Sequence, residues 1–317
     1  MSVSGVPITS PPPADHDHGA RRGRWLVLAA TFFWGTSATL ARFMFRDRHV
    51  PPLSVVELRL AISVVLLAPW LLWRRPESLR VRREDWGYFL VLGICGVAAI
   101  QCTYYYSVAT LGVGLAILIQ YLAPTLIVLY DALRGVRFGR LMLLALGAAL
   151  GGTALLVGNV NPASIHARPF QWAISFASAF VFAFYIVFSK RALRRYPPMT
   201  VLLYTFAIAG AALSLVAPPW KIVAAGYDRE TWILFGLLGV FSALVPFALF
   251  YAGLRHLRPA QAGILATLEP VVAVASSALL LGEGLVPLQW LGAGLVLTAA
   301  TLASSQSNEP MPSPGPP

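Results

Sequence analysis

The sequence predicts an all-α membrane protein in which ten transmembrane helices form two inverted five-helix repeats. Three observations carry that reading: long continuous apolar runs, a fixed internal offset that lays one half on the other, and a one-sided distribution of basic residues. Of the 317 residues, 57% are hydrophobic and only 12% are charged, and the mean hydropathy is +0.70, unlike a soluble domain. The apolar residues gather in runs of about 20, the length at which a helix crosses a hydrocarbon core about 30 Å thick. A membrane barrel would show alternating strands of about ten residues, whereas a run such as LMLLALGAALGGTALLVG is apolar throughout and rich in small residues.

The runs cover residues 25–45, 53–73, 87–107, 112–132, 140–159, 170–190, 199–219, 231–254, 260–281 and 286–304. Basic and tryptophan anchors mark their ends, as residues at a membrane–water boundary do. Arg21, Arg22, Arg24 and Trp25 open the first span, Arg42 stands at its end, and Arg46 and Arg48 follow it. Trp70, Trp73 and Arg74 close the second, and Trp86 opens the third. Cys95 and Cys102 share a face of the third helix about 10 Å apart, too far for a disulfide, and read as small buried apolar residues. The fourth span carries Pro124 and ends before Arg134; the fifth starts at Arg140. Trp172 and Lys190 bracket the sixth, Trp220 follows the seventh, Trp232 and Arg255 bracket the eighth, and Trp290 lies near the start of the tenth. Only Trp34 sits in mid-span.

Residues 1–24 are polar, proline-bearing and without an apolar core, so they read as a disordered cytoplasmic tail rather than a cleavable signal. Residues 305–317 read the same way. The net charge of +11 raises nucleic acid as a partner, but the charge positions assign it to membrane orientation instead. Of the 24 lysines and arginines, 17 lie on the side of the termini, six lie on the opposite side, and Arg59 alone lies away from both span ends. The positive-inside rule then puts both termini in the cytoplasm.

A shift of 146 residues pairs Trp86 with Trp232, Phe89 with Phe235, Gly93 with Gly239, Tyr105 with Tyr251 and Pro124 with Pro270; it also pairs Pro51 and Pro52 with Pro197 and Pro198. The halves, 25–159 and 170–304, look duplicated. Five spans is an odd number, so the second half enters the membrane in the opposite sense. Inverted repeats of this kind underlie alternating access around a midplane site in many secondary transporters.

The stretches FFWGTSATLARF in the first span, ELRLAISVVLLA in the second, LEPVVAV in the ninth and LLLGEGLVPLQWLGAGLVL leading into the tenth resemble the drug/metabolite transporter superfamily. Within it they are similar to the ten-helix EamA-type exporters. The resemblance covers roughly residues 25–304. It implies a carrier of a bacterial-type inner membrane, often an exporter of amino acids or related metabolites, with a cavity lined by helices 1, 3, 4, 6, 8 and 9. The family's glycine-acid pair after the ninth helix stands here as Gly282 and Glu283, whereas the first half has Val136 and Arg137.

A phosphate-binding loop needs a Gly-Lys-Ser/Thr triplet, but Lys190 follows Ser189 and Lys221 follows Trp220. His16, His18, His49, His166 and His256 fall in tails or loops and do not converge as metal ligands. No cofactor is expected. Glu269 lies in mid-span, where an acid costs about 2.5–3.5 kcal/mol on insertion scales. It reads as a proton-coupling group or a counter-charge for a substrate amine, with a hydrogen-bonded carboxyl tying helices together as the structural alternative. Pro270 and its twin Pro124 read as hinges or kinks that free a backbone carbonyl.

Gln101, Tyr104 and Tyr105, spaced i, i+3 and i+4, form one polar-aromatic face. With Gln120 and Tyr121 they suit a small polar substrate in a mostly apolar cavity. Trp34, near Ser37, reads as a cavity wall or gate, with core packing as the alternative; Tyr185 and Ser242 are the candidates from the second half. Arg59 reads as a snorkelling residue or a partner for another helix, with a substrate role as the alternative; Glu57, two residues away, does not face it.

The expectation is a secondary transporter exporting amino acids or related amphiphiles by alternating access. Its partners are a small-molecule substrate, the lipid bilayer and protons as a candidate coupling ion, with no oligomer required. Within transport, the alternatives are export of purines, drugs or sugar derivatives, or uptake. A receptor or scaffold would append a sizeable soluble domain. A lipid-modifying enzyme would cluster carboxylates and histidines at one membrane depth.

Overall fold

A computed structural model describes residues 14–157, 167–281 and 286–305. The terminal residues beyond these, and the Gly282–Glu283 pair, lie outside the described residues. Ten principal helices follow in order: α1 (Ala14–Arg46), α2 (Pro52–Arg74), α3 (Arg83–Leu111), α4 (Val113–Leu133), α5 (Arg140–Val157), α6 (Pro169–Ala192), α7 (Pro198–Leu213), α8 (Arg229–Leu254), α9 (259–281) and α10 (Pro287–Ser305). Among the described residues nine are long and apolar enough to span a membrane, and α7, with 16 residues, is shorter. Pro218 and Pro219 stop it before the expected end at 219, since proline supplies no donor to continue a helix; a separate short helix, Pro219–Ala224, follows.

Residues 14–24 correct the expectation of a disordered tail, because α1 already includes them. Packing extends the helix. Gly23 lies so close to the far end of α8 that a Cβ there would stand 2.8 Å from the Cβ of His256 and 3.0 Å from the Gly253 carbonyl oxygen. Ala20 is buried, and Arg24 donates to the carbonyl of Ser304.

The two halves mirror one another in detail. α3 and α8 each contain a π-helical stretch, Leu92–Ala98 and Gly239–Leu244, at positions matched by the 146 offset. A Cβ on Gly93 would fall 2.6 Å from Cγ2 of Ile208, and one on Gly239 would fall 2.6 Å from Cγ2 of Ile62; the same offset carries Ile62 onto Ile208. α1 packs on α8 and α9 as α6 packs on α3 and α4, and α2 meets α8 as α7 meets α3. α5 and α10 pair where Gly152 and Gly292 bring their backbones together, the small-residue approach that membrane helices use in place of a hydrophobic driving force.

The fourth and ninth helices are each broken near the middle. α4 runs Val113–Gln120, turns through Tyr121 and Leu122, and resumes as Ala123–Leu133. α9 runs Pro259–Ala266, turns through Thr267 and Leu268, and resumes as Glu269–Leu281. Pro124 and Pro270 each stand second in the resumed segment, where the missing N–H leaves the carbonyl four residues back without its helical donor.

Cys95 and Cys102 correct a further expectation: both are exposed on the outer surface of the bundle. The inward face of the π-helical stretch carries Leu92, Gly93, Gly96 and Val97 instead. Trp25, Trp73, Trp220 and Trp290 also point outward, as an interfacial belt requires.

Candidate functional site

One cavity of about 590 Å³ lies between the halves. The ten side chains singled out by sequence all line it. Trp34 and Ser37 come from α1; Gln101, Tyr104 and Tyr105 from α3; Gln120 and Tyr121 from α4. Tyr185 of α6, Ser242 of α8 and Glu269 of α9 face them. Of the two prolines Pro270 lines the cavity, while Pro124 sits behind it with its Cγ 3.2 Å from where a Cβ on Gly263 would be. α2, α5 and α10 join the expected six helices through Arg59, through Leu156 and Val157, and through Gln289.

Glu269 is the first residue of the resumed half of α9. A carboxylate there meets the positive end of the segment's dipole and accepts a 2.8 Å hydrogen bond from the Tyr121 hydroxyl. These two features offset the cost of an acid in mid-span. Arg59 donates to the Ser242 hydroxyl at 2.9 Å and lines the cavity together with Glu269. Arg59 and Glu57 diverge as their spacing requires, and Glu57 accepts from Ser214 at 2.8 Å. Trp34 contributes wall and packing together, with its ring centroid 5.0 Å from Phe247 and 5.3 Å from Phe250. Around these groups the lining is aromatic or aliphatic, including Phe45, Phe182 and Phe247.

Among the described residues, the cavity lining reaches one end of the bundle and not the other. Phe45, Val108 and Val157 line it at the C-terminal ends of α1, α3 and α5, and Val113 and Gln289 at the starts of α4 and α10. At that rim Arg48 bridges the halves by pairing with Asp228 at 2.7 Å and with Glu230. Hydrogen bonds from Thr231, then Arg48, hold the Asp228 carboxyl below its usual range.

The opposite end is clasped shut. Asp85, buried in the first turn of α3, accepts from Arg195 at 3.0 Å and from the Tyr196 hydroxyl at 2.5 Å in the α6–α7 connection. Burial, reinforced by that bond to Asp85, pushes the Tyr196 phenol up, so it stays a donor. Thr200 and Tyr204 donate to the carbonyls of Ser78 and Leu79, and Lys190 caps the end of α8 through the carbonyls of Leu254 and Arg255. Burial, then the charges of Arg22, Lys190 and Arg255, push the imidazole of His256 down.

The sequence profile of the EamA-like transporter family matches residues 21–158 and again residues 171–305. The chain belongs to the EamA-like transporter family. One match covers α1–α5 and the other α6–α10, so each half is an EamA-like unit. Among its relatives, the uncharacterized inner membrane transporter YicL of Salmonella typhimurium is 28% identical over 90% of this chain and 96% of that protein. The threonine/homoserine exporter RhtA of Escherichia coli K12 is 27% identical over 83% of this chain and 84% of that protein. A crystal structure 22% identical in sequence superposes with a TM-score of 0.71 over 89% of this chain and 96% of the other, a likeness of fold. This EamA-like chain is therefore a multi-pass membrane protein whose named relatives are transporters.

Proposed function

We propose that the protein is a secondary exporter of amino acids or related amphiphiles, that it works by alternating access, and that both termini are cytoplasmic. The observation that carries this reading is a cavity lined by both inverted halves and, among the described residues, reaching one end of the bundle, with one acid, Glu269, set at the break of α9. Discontinuous helices meeting near the midplane are the usual makings of a transporter binding site. The RhtA relative, by its name, exports threonine and homoserine. With the more basic side inward, the clasped end faces the cytoplasm and the open end faces outward. Glu269 then serves as the counter-charge for a substrate amine and as the proton-coupling group.

Flux in proteoliposomes across a panel of amino acids and nucleobases, with and without an imposed pH gradient, tests the reading. Amino-acid flux driven by the gradient is the expected result; movement of no amino acid by folded protein overturns it. Glu269→Gln is expected to impair transport or to remove its pH dependence while membrane insertion stays intact. Wild-type flux and pH profile in that variant would confine Glu269 to a structural role.

A further inference from the structure

We infer that Arg59 is the carboxylate receptor of the substrate site, so that Arg59 and Glu269 together read the zwitterion of a free α-amino acid. The inference rests on the amino-acid reading above and adds to it a residue and a rule of selectivity.

Both groups line the same cavity, one from α2 of the first half and the other from α9 of the second. Tyr104 lines the cavity with them. Yet they are not ion-paired: the guanidinium is held by the Ser242 hydroxyl and the carboxylate by the Tyr121 hydroxyl. Opposite charges in a low-dielectric site attract strongly, yet here each is held by a hydroxyl of the opposite half instead of by the other charge. Arg59 donates to only one oxygen and its Nε, buried, has no partner, although a guanidinium presents five N–H groups in a planar fork suited to a carboxylate. A ligand carrying an ammonium and a carboxylate on one carbon offers each of the two groups its opposite charge. An amine without a carboxylate leaves Arg59 uncompensated, and an acid without an amine does the same to Glu269. Each omission leaves a buried charge unpaired, which is how a site rejects an analogue lacking one group. The aromatic and aliphatic walls receive the side chain.

The test uses the full-length protein in proteoliposomes and in detergent. The probes are the best-transported amino acid of the flux panel, its carboxamide, and the corresponding acid lacking the amino group. Wild type should prefer the amino acid to the carboxamide by about 10- to 100-fold, the range for a charge-assisted hydrogen-bonded contact. Arg59→Gln should erase that preference while retaining discrimination against the deaminated acid, and Glu269→Gln should do the reverse. Arg59→Lys keeps the charge without the fork and should lower the preference partway; it carries the test if Arg59→Gln does not elute as a monodisperse species. An unchanged amino-acid-to-carboxamide ratio in the Arg59 variants, or an equal loss for every probe, overturns the assignment of Arg59 alone. Failure of wild type to move any amino acid overturns the amino-acid reading and this inference with it.

Discussion

Alanine at Asp85 should unfasten the closed end of the bundle. The carboxylate joins the start of α3, where the α2–α3 connection ends, to the α6–α7 connection of the other half, through Tyr196 at 2.5 Å and Arg195 at 3.0 Å. These segments must separate if that end opens, so the contact stabilises the present state selectively, and only differential contacts shift an equilibrium. A hydrogen bond to a charged group contributes about 1.5–3 kcal/mol. The Arg195 side chain is 69% exposed, so its ion pair adds under about 1 kcal/mol. Solvent access to Tyr196 argues for the lower part of the range. A loss of about 2 kcal/mol corresponds to about a 30-fold shift toward the state open at this end. Spin labels at the exposed positions Glu77 and Arg194, read by pulsed electron paramagnetic resonance, would report the separation of the two connections. Asp85→Ala should enlarge a long-distance population, and Tyr196→Phe should move it in the same direction by less. A distance distribution identical to wild type in Asp85→Ala, with and without substrate, would refute the role of the clasp.

Two further outcomes follow from packing and from charge. Gly239→Ala drives a Cβ to 2.6 Å from Ile62, an overpacking that costs about 1–3 kcal/mol; the melting temperature should fall, and Ile62→Ala should restore part of it. His256 is held below its ordinary value of 6.5 by burial and by Arg22, Lys190 and Arg255. The unfolded chain therefore binds the proton first, so stability tied to the neutral imidazole is complete above about pH 6.5 and falls as the pH drops toward the lowered value. Hydrogen exchange over residues 18–27 should accelerate between pH 7.5 and 5.5, and His256→Gln should remove that dependence.

What the sequence disclosed, it disclosed through periodicity and scarcity. Gln101, Tyr104 and Tyr105 share a helical face, and polar groups in mid-span have few places to go except a cavity, so the structure brings all ten candidates together. Trp34 stood out because the other tryptophans occupy span ends. Arg59 was legible as an anomaly but not as a member of the site, because nothing in a single chain says that α2 turns this residue toward Ser242. Gln289 carries no such sequence signal for a similar reason: it reaches the cavity because Gly152 and Gly292 draw α10 against α5. The outward turn of Cys95 and Cys102 depends on the register of the π-helical stretch in α3. The early start of α1 depends on a tertiary contact at Gly23. Composition encodes none of these.

Pro124 and Pro270 show how a duplicated architecture carries an unduplicated chemistry. The offset makes two equivalent breaks, but it matches Tyr121 with Thr267 and Glu269 with Ala123. The first break therefore supplies a donor hydroxyl and the second an acceptor carboxylate, and the two meet at 2.8 Å. Arg59 and Ser242 make a second polar link between the halves in the same cavity. A ligand that takes Glu269 competes with Tyr121, and one that takes Arg59 competes with Ser242. Binding at both points exchanges two links between the halves for contacts with the ligand. Occupancy of the site is thereby tied to how firmly the halves are held in their present arrangement, which is the coupling that alternating access needs.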